Sequence, residues 1–169
     1  MPQTKNLTLS TSWTLLTDEG GDTELACGGL IIRAKAALTL AIGDAVFISG
    51  DGTVSKSVTT ADFLKAAGVV IGGRAFGRHA IQRAADVGLA AALVNEEVYV
   101  CQLGLCQGVA QAAITAGAFV KPDVTTAGRL NVALATTDLV AGDTGKIIGR
   151  AWTAAAGAAS KFIVNVSLQ

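Results

Sequence analysis

The sequence predicts an all-β protein: a small antiparallel β-barrel or sandwich built from two pseudo-repeated β units, with an N-terminal arm and at most one or two short helices. Three observations carry this expectation. Short apolar runs alternate with Gly, Asp and Thr turns along most of the chain, the texture of many short strands and not of long amphipathic helices. Two runs keep period two, Val98, Val100 and the methylenes of Gln102 against Tyr99, Cys101 and Leu103, and Phe162, Val164 and Val166 against Ile163, Asn165 and Ser167, as strands with one face on a core do. Finally, residues 117–151 echo residues 43–75.

In chain order, the expected strands are Asn6 to Leu16, Gly29 to Ala36, Ala45 to Ser49, Thr53 to Ser57, Ala67 to Gly72, Glu97 to Leu103, Leu105 to Gln111, Ala118 to Lys121, Arg129 to Leu134, Lys146 to Ala154 and Lys161 to Leu168. Ser49-Gly50-Asp51-Gly52 supplies residues that tolerate positive φ, so a tight hairpin is expected there. Helix is expected in two places only. Thr59 or Thr60 caps a single turn over Thr60 to Lys65, and alanines favour helix over Arg78 to Leu93 against the cost of Gly88.

The repeat runs as follows. Gly43-Asp44-Ala45-Val46, the glycine turn at 50–52, Thr60-Ala61-Asp62 and Gly68-Val69-Val70-Ile71-Gly72-Gly73-Arg74-Ala75 are answered by Gly117-Ala118-Phe119-Val120, Thr126-Ala127-Gly128, Thr136-Thr137-Asp138 and Gly145-Lys146-Ile147-Ile148-Gly149-Arg150-Ala151. Gly68 thus matches Gly145, and the Arg-Ala endings match each other. Two such units closing on one another would remove most exposed strand edges. Residues 1–40 are read as an N-terminal arm or edge strands, and residues 41–169 as the β-barrel domain.

Composition narrows the function. Thirteen Lys plus Arg balance thirteen Asp plus Glu, so no basic field exists to hold a phosphate backbone, and no direct nucleic-acid partner is expected. Charged residues are 15% of the chain against roughly 25% in an average globular protein. With mean hydropathy at +0.51, much of the apolar surface is expected to be covered by other subunits. The most apolar stretch, Gly88 to Val94, is far shorter than a membrane helix and is followed by Asn95, Glu96 and Glu97. No membrane partner is expected. The start of the chain lacks the basic head and apolar stretch of a signal peptide, which points to folding in cytoplasm.

Catalytic and cofactor motifs find little support. Three cysteines, Cys27, Cys101 and Cys106, and one histidine, His79, give no metal-ligand spacing and no disulfide framework. Gly72-Gly73-Arg74-Ala75-Phe76-Gly77 and Gly104-Leu105-Cys106-Gln107-Gly108 lack the strand-to-helix setting of a phosphate loop, and Ile147 follows Gly145-Lys146 where a magnesium-binding hydroxyl belongs. Arg74, Arg78 and Arg83 near His79 would lower its basicity. Glu96-Glu97 project to opposite faces of a strand, and Asp18-Glu19 sit in a turn beside Gly20-Gly21. No enzyme, cofactor or metal is expected.

The candidate partner interface is Trp13, Leu15, Leu16 and Trp152. Tryptophans of this kind anchor interfaces. They serve equally to plug the ends of a barrel. The first forty residues suit an arm crossing onto a neighbour, or an edge strand of the same subunit.

The stretch Glu97-Val98-Tyr99-Val100-Cys101-Gln102-Leu103-Gly104, with Gly108-Val109-Ala110, Ile114-Thr115-Ala116-Gly117-Ala118-Phe119-Val120 and Thr126-Ala127-Gly128-Arg129, resembles the small capsid decoration, or cement, proteins of tailed bacteriophages. The ending Ala141-Gly142-Asp143-Thr144-Gly145-Lys146-Ile147-Ile148-Gly149-Arg150-Ala151, followed by Lys161-Phe162-Ile163-Val164-Asn165-Val166, is similar to the C-terminal signature of that group. The resemblance covers about residues 40–169, and the Ala-rich insert Ala80 to Ala92 departs from it. It implies a catalytically inert homotrimer on the capsid exterior of the virion, made in the host cytoplasm, with the major capsid protein as partner. The rival expectation is a receptor- or carbohydrate-binding β module, whose mark would be exposed aromatics beside polar clusters. Aromatics are 5% of the chain.

Overall fold

The computed structural model describes residues 30–56, 66–73, 76, 91–123, 125–134 and 147–168. Every regular element among them is a strand: β1 (Ile31–Ala36), β2 (Leu40–Ala41), β3 (Ala45–Gly50), β4 (Thr53–Lys56), β5 (Ala66–Gly73), β6 (Ala91–Ala92), β7 (Glu97–Cys101), β8 (Leu103–Val109), β9 (Phe119–Pro122), β10 (Leu130–Val132), β11 (Gly149–Ala151) and β12 (Lys161–Ser167). The protein is all-β, as expected. The expected strand Asn6 to Leu16 and the expected turn of helix at Thr60 to Lys65 lie outside the described residues. Of the helix expected over Arg78 to Leu93, residues 78–90 lie outside the described residues, and Ala91 and Ala92 are strand, pairing with Ala41 and Leu40. There, cross-strand pairing overrides the helical preference of alanine.

Among the described residues, ten of the twelve strands form two five-stranded rings, and β2 pairs with β6 beside the first. The first closes in the order β1-β4-β3-β5-β7. An odd number of strands cannot alternate in direction all the way round, so one junction must be parallel. It is β1 with β4, at Lys35↔Thr53 and Ala36↔Val54. The second sheet runs β10-β9-β11-β12-β8, and its two edges meet at a single parallel bridge, Ala110↔Leu130. Ala37 donates to the Val54 carbonyl at 2.8 Å in the first junction, and Gln111 to the Leu130 carbonyl at 2.8 Å in the second. Each unit therefore closes on itself, and the two do not close on one another. Ile31–Ala36, read from the sequence as belonging to the stretch before the barrel, is a strand of the first ring.

The registers make the repeat quantitative. Val46↔Lys56 and Ile48↔Val54 in the first hairpin correspond to Val120↔Val132 and Pro122↔Leu130 in the second. Across the next two strands, the row Ala45↔Val69↔Cys101 corresponds to Phe119↔Arg150↔Asn165. Gly43 (φ 90°) and Gly117 (φ 85°) turn the chain into β3 and β9, in turns closed by Asp44 donating to Ala41 and Ala118 donating to Thr115, both at 3.1 Å. In this register Gly68 matches Gly149, not Gly145. Each is glycine because a Cβ there would overlap a carbonyl oxygen of the next strand, that of Cys101 or of Asn165. Only glycine lets the backbones approach so closely.

Inward positions agree in the same way. Ala36, Leu40, Val46, Val54, Val70, Val98 and Val100 fill the first ring, and Ala110, Ile114, Val120, Leu130, Ala151, Phe162 and Val164 stand in their places in the second. Alternation along β7 and β12 thus points one side chain in two at a ring interior. Cys101 is buried as well, although it points outward, because the outer face of the first ring (Ala45, Val69, Ile71, Cys101) joins the apolar cluster of the second. At this junction Ala45 donates to the Gly128 carbonyl at 2.8 Å. Asp44, 7% exposed, accepts from Ala41 N–H at 2.8 Å and from Lys56 Nζ at 3.3 Å.

Candidate interaction surface

Of the residues singled out from the sequence, Trp13, Leu15 and Leu16 lie outside the described residues. Trp152 is described, and at 58% exposed it plugs neither ring. It follows β11, and its N–H donates to the Ile163 carbonyl at 2.7 Å, so the indole projects from the outer face of the second ring. Alternation places Phe119, Arg150, Ile163 and Asn165 on that same face. The Arg150 guanidinium lies 3.9 Å from the centroid of the Phe119 ring, a stacked geometry in which the ring quadrupole attracts the cation. Arg150 and Asn165 are exposed, while Phe119 and Ile163 are half-buried.

Two further apolar patches come from turns and strand ends. Leu38 (51% exposed), Leu93 (48%) and Val94 (53%) flank the β2–β6 pair at one corner of the first ring. Leu30 (54%), Ile31 (40%) and Leu103 (51%) gather where Leu103 N–H meets the Leu30 carbonyl at 3.4 Å. Sequence reasoning missed these residues, because apolar residues beside strand ends look the same whether they face a core or water.

Buried polar groups are accounted for by local structure. Asp123, 4% exposed, ends β9 by accepting from Thr125 N–H at 2.9 Å, Thr126 N–H at 2.7 Å, Asn131 Nδ2 at 3.1 Å and the Thr125 hydroxyl. Burial alone would raise its pKa, but those hydrogen bonds, with the Thr125 and Asn131 side chains foremost, hold it below the usual carboxylate range. Cys101 and Cys106 are buried thiols, and Cys101 Sγ contacts the carbonyls of Leu103 and Gly104 at 3.5 and 3.9 Å. Among the described residues no buried side-chain nitrogen or oxygen lacks a partner, and no group of His, Cys, Asp and Glu gathers at metal-binding distance. His79 and Cys27 lie outside them. No helix among the described residues is long and apolar enough to cross a membrane.

No family model matches the chain, and no curated protein matches it. A solved structure, the head fiber gp8.5 N base of bacteriophage phi29, is similar to it at 13% identity and a TM-score of 0.39, covering 83% of this chain and 98% of that one.

Proposed function

We propose that this protein is a structural component of a tailed-phage head, a decoration protein that binds the outer surface of the assembled capsid and stabilises it by bridging major capsid protein subunits. It acts through covered surface and not through chemistry. The observation that carries the reading is the exposure of large apolar side chains, Leu30, Leu38, Leu93, Val94, Leu103 and Trp152 among them, on two rings whose interiors are filled by their own side chains. Such patches on a duplicated β scaffold suit docking onto a larger assembly. The partner, the homotrimeric state and the position on the capsid exterior are what the resemblance in sequence to cement proteins implies. A clamp bound to the intact shell and not to its separated subunits stabilises the shell by mass action.

The test is sedimentation of the purified chain with empty tailed-phage shells and, separately, with immobilised glycans. The expected result is co-sedimentation with shells and a rise in the temperature at which they come apart. Retention on glycans without shell binding would replace this reading with the carbohydrate-binding one.

A further inference from the structure

The repeat makes each ring a reference for the other. In the first ring, the outer row Ala45↔Val69↔Cys101 and the neighbouring Ile71 are buried, because the second ring lies on them. It does so through β8, which runs against β5, and through the hairpin glycine Gly128, whose carbonyl accepts from Ala45. A Cβ on Gly43 would stand 2.7 Å from a Val109 methyl, so the two rings are in close contact there. In the second ring the same row is Phe119↔Arg150↔Asn165. Trp152 follows Ala151 as Ile71 follows Val70, and Val70 and Ala151 make the same hydrogen bond, to Asp44 O at 2.9 Å and to Ala118 O at 2.8 Å. The position that is 7% exposed as Ile71 is 58% exposed as Trp152.

The other half of the contact is duplicated too. Leu105, opposite Asn165, corresponds to Ile31, opposite Cys101. Gln107 corresponds to Arg33, and Val109 to Lys35. Gly128 (φ 81°) corresponds to Gly52 (φ 64°), which lies in the exposed hairpin between β3 and β4. Leu105 is 8% exposed and Ile31 40%. The chain thus buries one copy of a heterologous contact and exposes both halves of a second.

We infer that a second copy of this protein docks on the Trp152 face, presenting β1 and the Gly50–Gly52 hairpin of its first ring as β8 and the Gly128 hairpin are presented within the chain. A head-to-tail contact of this kind closes into a ring or continues as a row, according to the rotation it imposes. Trp152 and the stacked Arg150 are the residue types that anchor contacts between separate molecules, and they stand where the permanent internal contact uses Ile71 and Val69. Arg33, Lys35 and Arg150 place cations on both sides, offset in part by Glu97 opposite Lys35 and by Asp51 of the hairpin, so the contact is weaker than the internal one and salt, which screens the like charges, favours it modestly. The inference requires no shell, so its failure is distinct from failure of shell binding.

The experiment is analytical ultracentrifugation of the full chain from about 1 to 100 μM, the range in which moderate contacts are populated, in about 0.5 M salt. The average mass is expected to rise above the single-chain value. Trp152→Lys and Ile31→Lys, which remove the apolar contact and add to the cations already there, are each expected to weaken association at least tenfold. An equimolar mixture of these two variants is expected to form a dimer, since each retains the half that the other has lost. A wild-type chain that stays monomeric throughout, variants that associate as the wild type does, or a mixture that stays monomeric would overturn the inference.

Discussion

Asn95 and Ala159 occupy the same place in the two rings. Both adopt left-handed backbone, with φ of 69° and 61°, and their N–H groups donate to Ala36 at 2.7 Å and Ala110 at 2.8 Å. Each leads the chain into the last strand of its ring. Asparagine accepts this conformation readily, whereas alanine does so at a cost of roughly 1 kcal/mol or more. Ala159→Gly is therefore expected to stabilise the protein by about 0.5 kcal/mol once the entropy of glycine in the unfolded chain is set against the relieved strain. A urea midpoint that stays level or falls would count against the strain.

Gly68 and Gly149 are expected to be intolerant of any side chain. A methyl at either would overlap a backbone carbonyl oxygen of β7 or β12, and backbone cannot swing aside as a flexible side chain can. Gly149→Ala is expected to cost about 3 kcal/mol, at the upper end of ordinary overpacking. Gly157→Ala, with open space around it, is the control expected to leave the urea midpoint nearly unchanged.

The hairpin glycines separate the cost of a turn from the cost of the contact between rings. Gly52 has nothing within 4 Å of its would-be Cβ, whereas that of Gly128 meets the Asp44 carboxylate and lies 2.9 Å from Lys56 Cδ. Both hold positive φ. Gly52→Ala is expected to cost about 1 kcal/mol, from backbone strain alone, and Gly128→Ala about 2 kcal/mol, because the buried Asp44 carboxylate and the Lys56 side chain must also move aside. Equal losses in thermal unfolding would show that the junction is softer than its geometry implies.

Asp123 makes stability depend on pH in a defined direction. Its carboxyl is held below the usual range in the folded chain, so its contribution is complete above the unfolded-state pKa of roughly 4 and is lost as pH falls through the lower folded value. Asp123→Ala, which leaves the Thr125 and Thr126 N–H groups without their acceptor, is expected to cost about 2 kcal/mol near neutral pH. It should also flatten part of the acid limb of a stability-against-pH curve. An acid limb identical to that of the wild type would exclude Asp123 as its source.

Strand identity was legible in the sequence wherever one face alternates with the other. Val98 and Val100, and Phe162, Val164 and Val166, point inward as their spacing requires. The hairpin at Gly50–Gly52 lies where its glycines put it, and the repeat was visible through Gly43 and Gly117. Its register was not. The stretches between β4 and β5 and between β10 and β11 differ in length, so matching by glycine and Arg-Ala slid Gly68 onto Gly145, whereas the strand registers put Gly149 in the place of Gly68. The two-residue strands β2 and β6 were also hidden, since two residues carry no periodicity.

Local periodicity thus determined the class of structure, the position of most strands and the existence of a duplicated unit, because each depends on residues close together in the chain. Tertiary structure alone decided that each unit closes on itself through one parallel junction. It also decided that Cys101 is buried though it points away from its own ring, and that Ile71 is covered while Trp152 is exposed. Those outcomes depend on which surface of one ring meets the other, and a side chain carries no local sign of what lies across a contact from it.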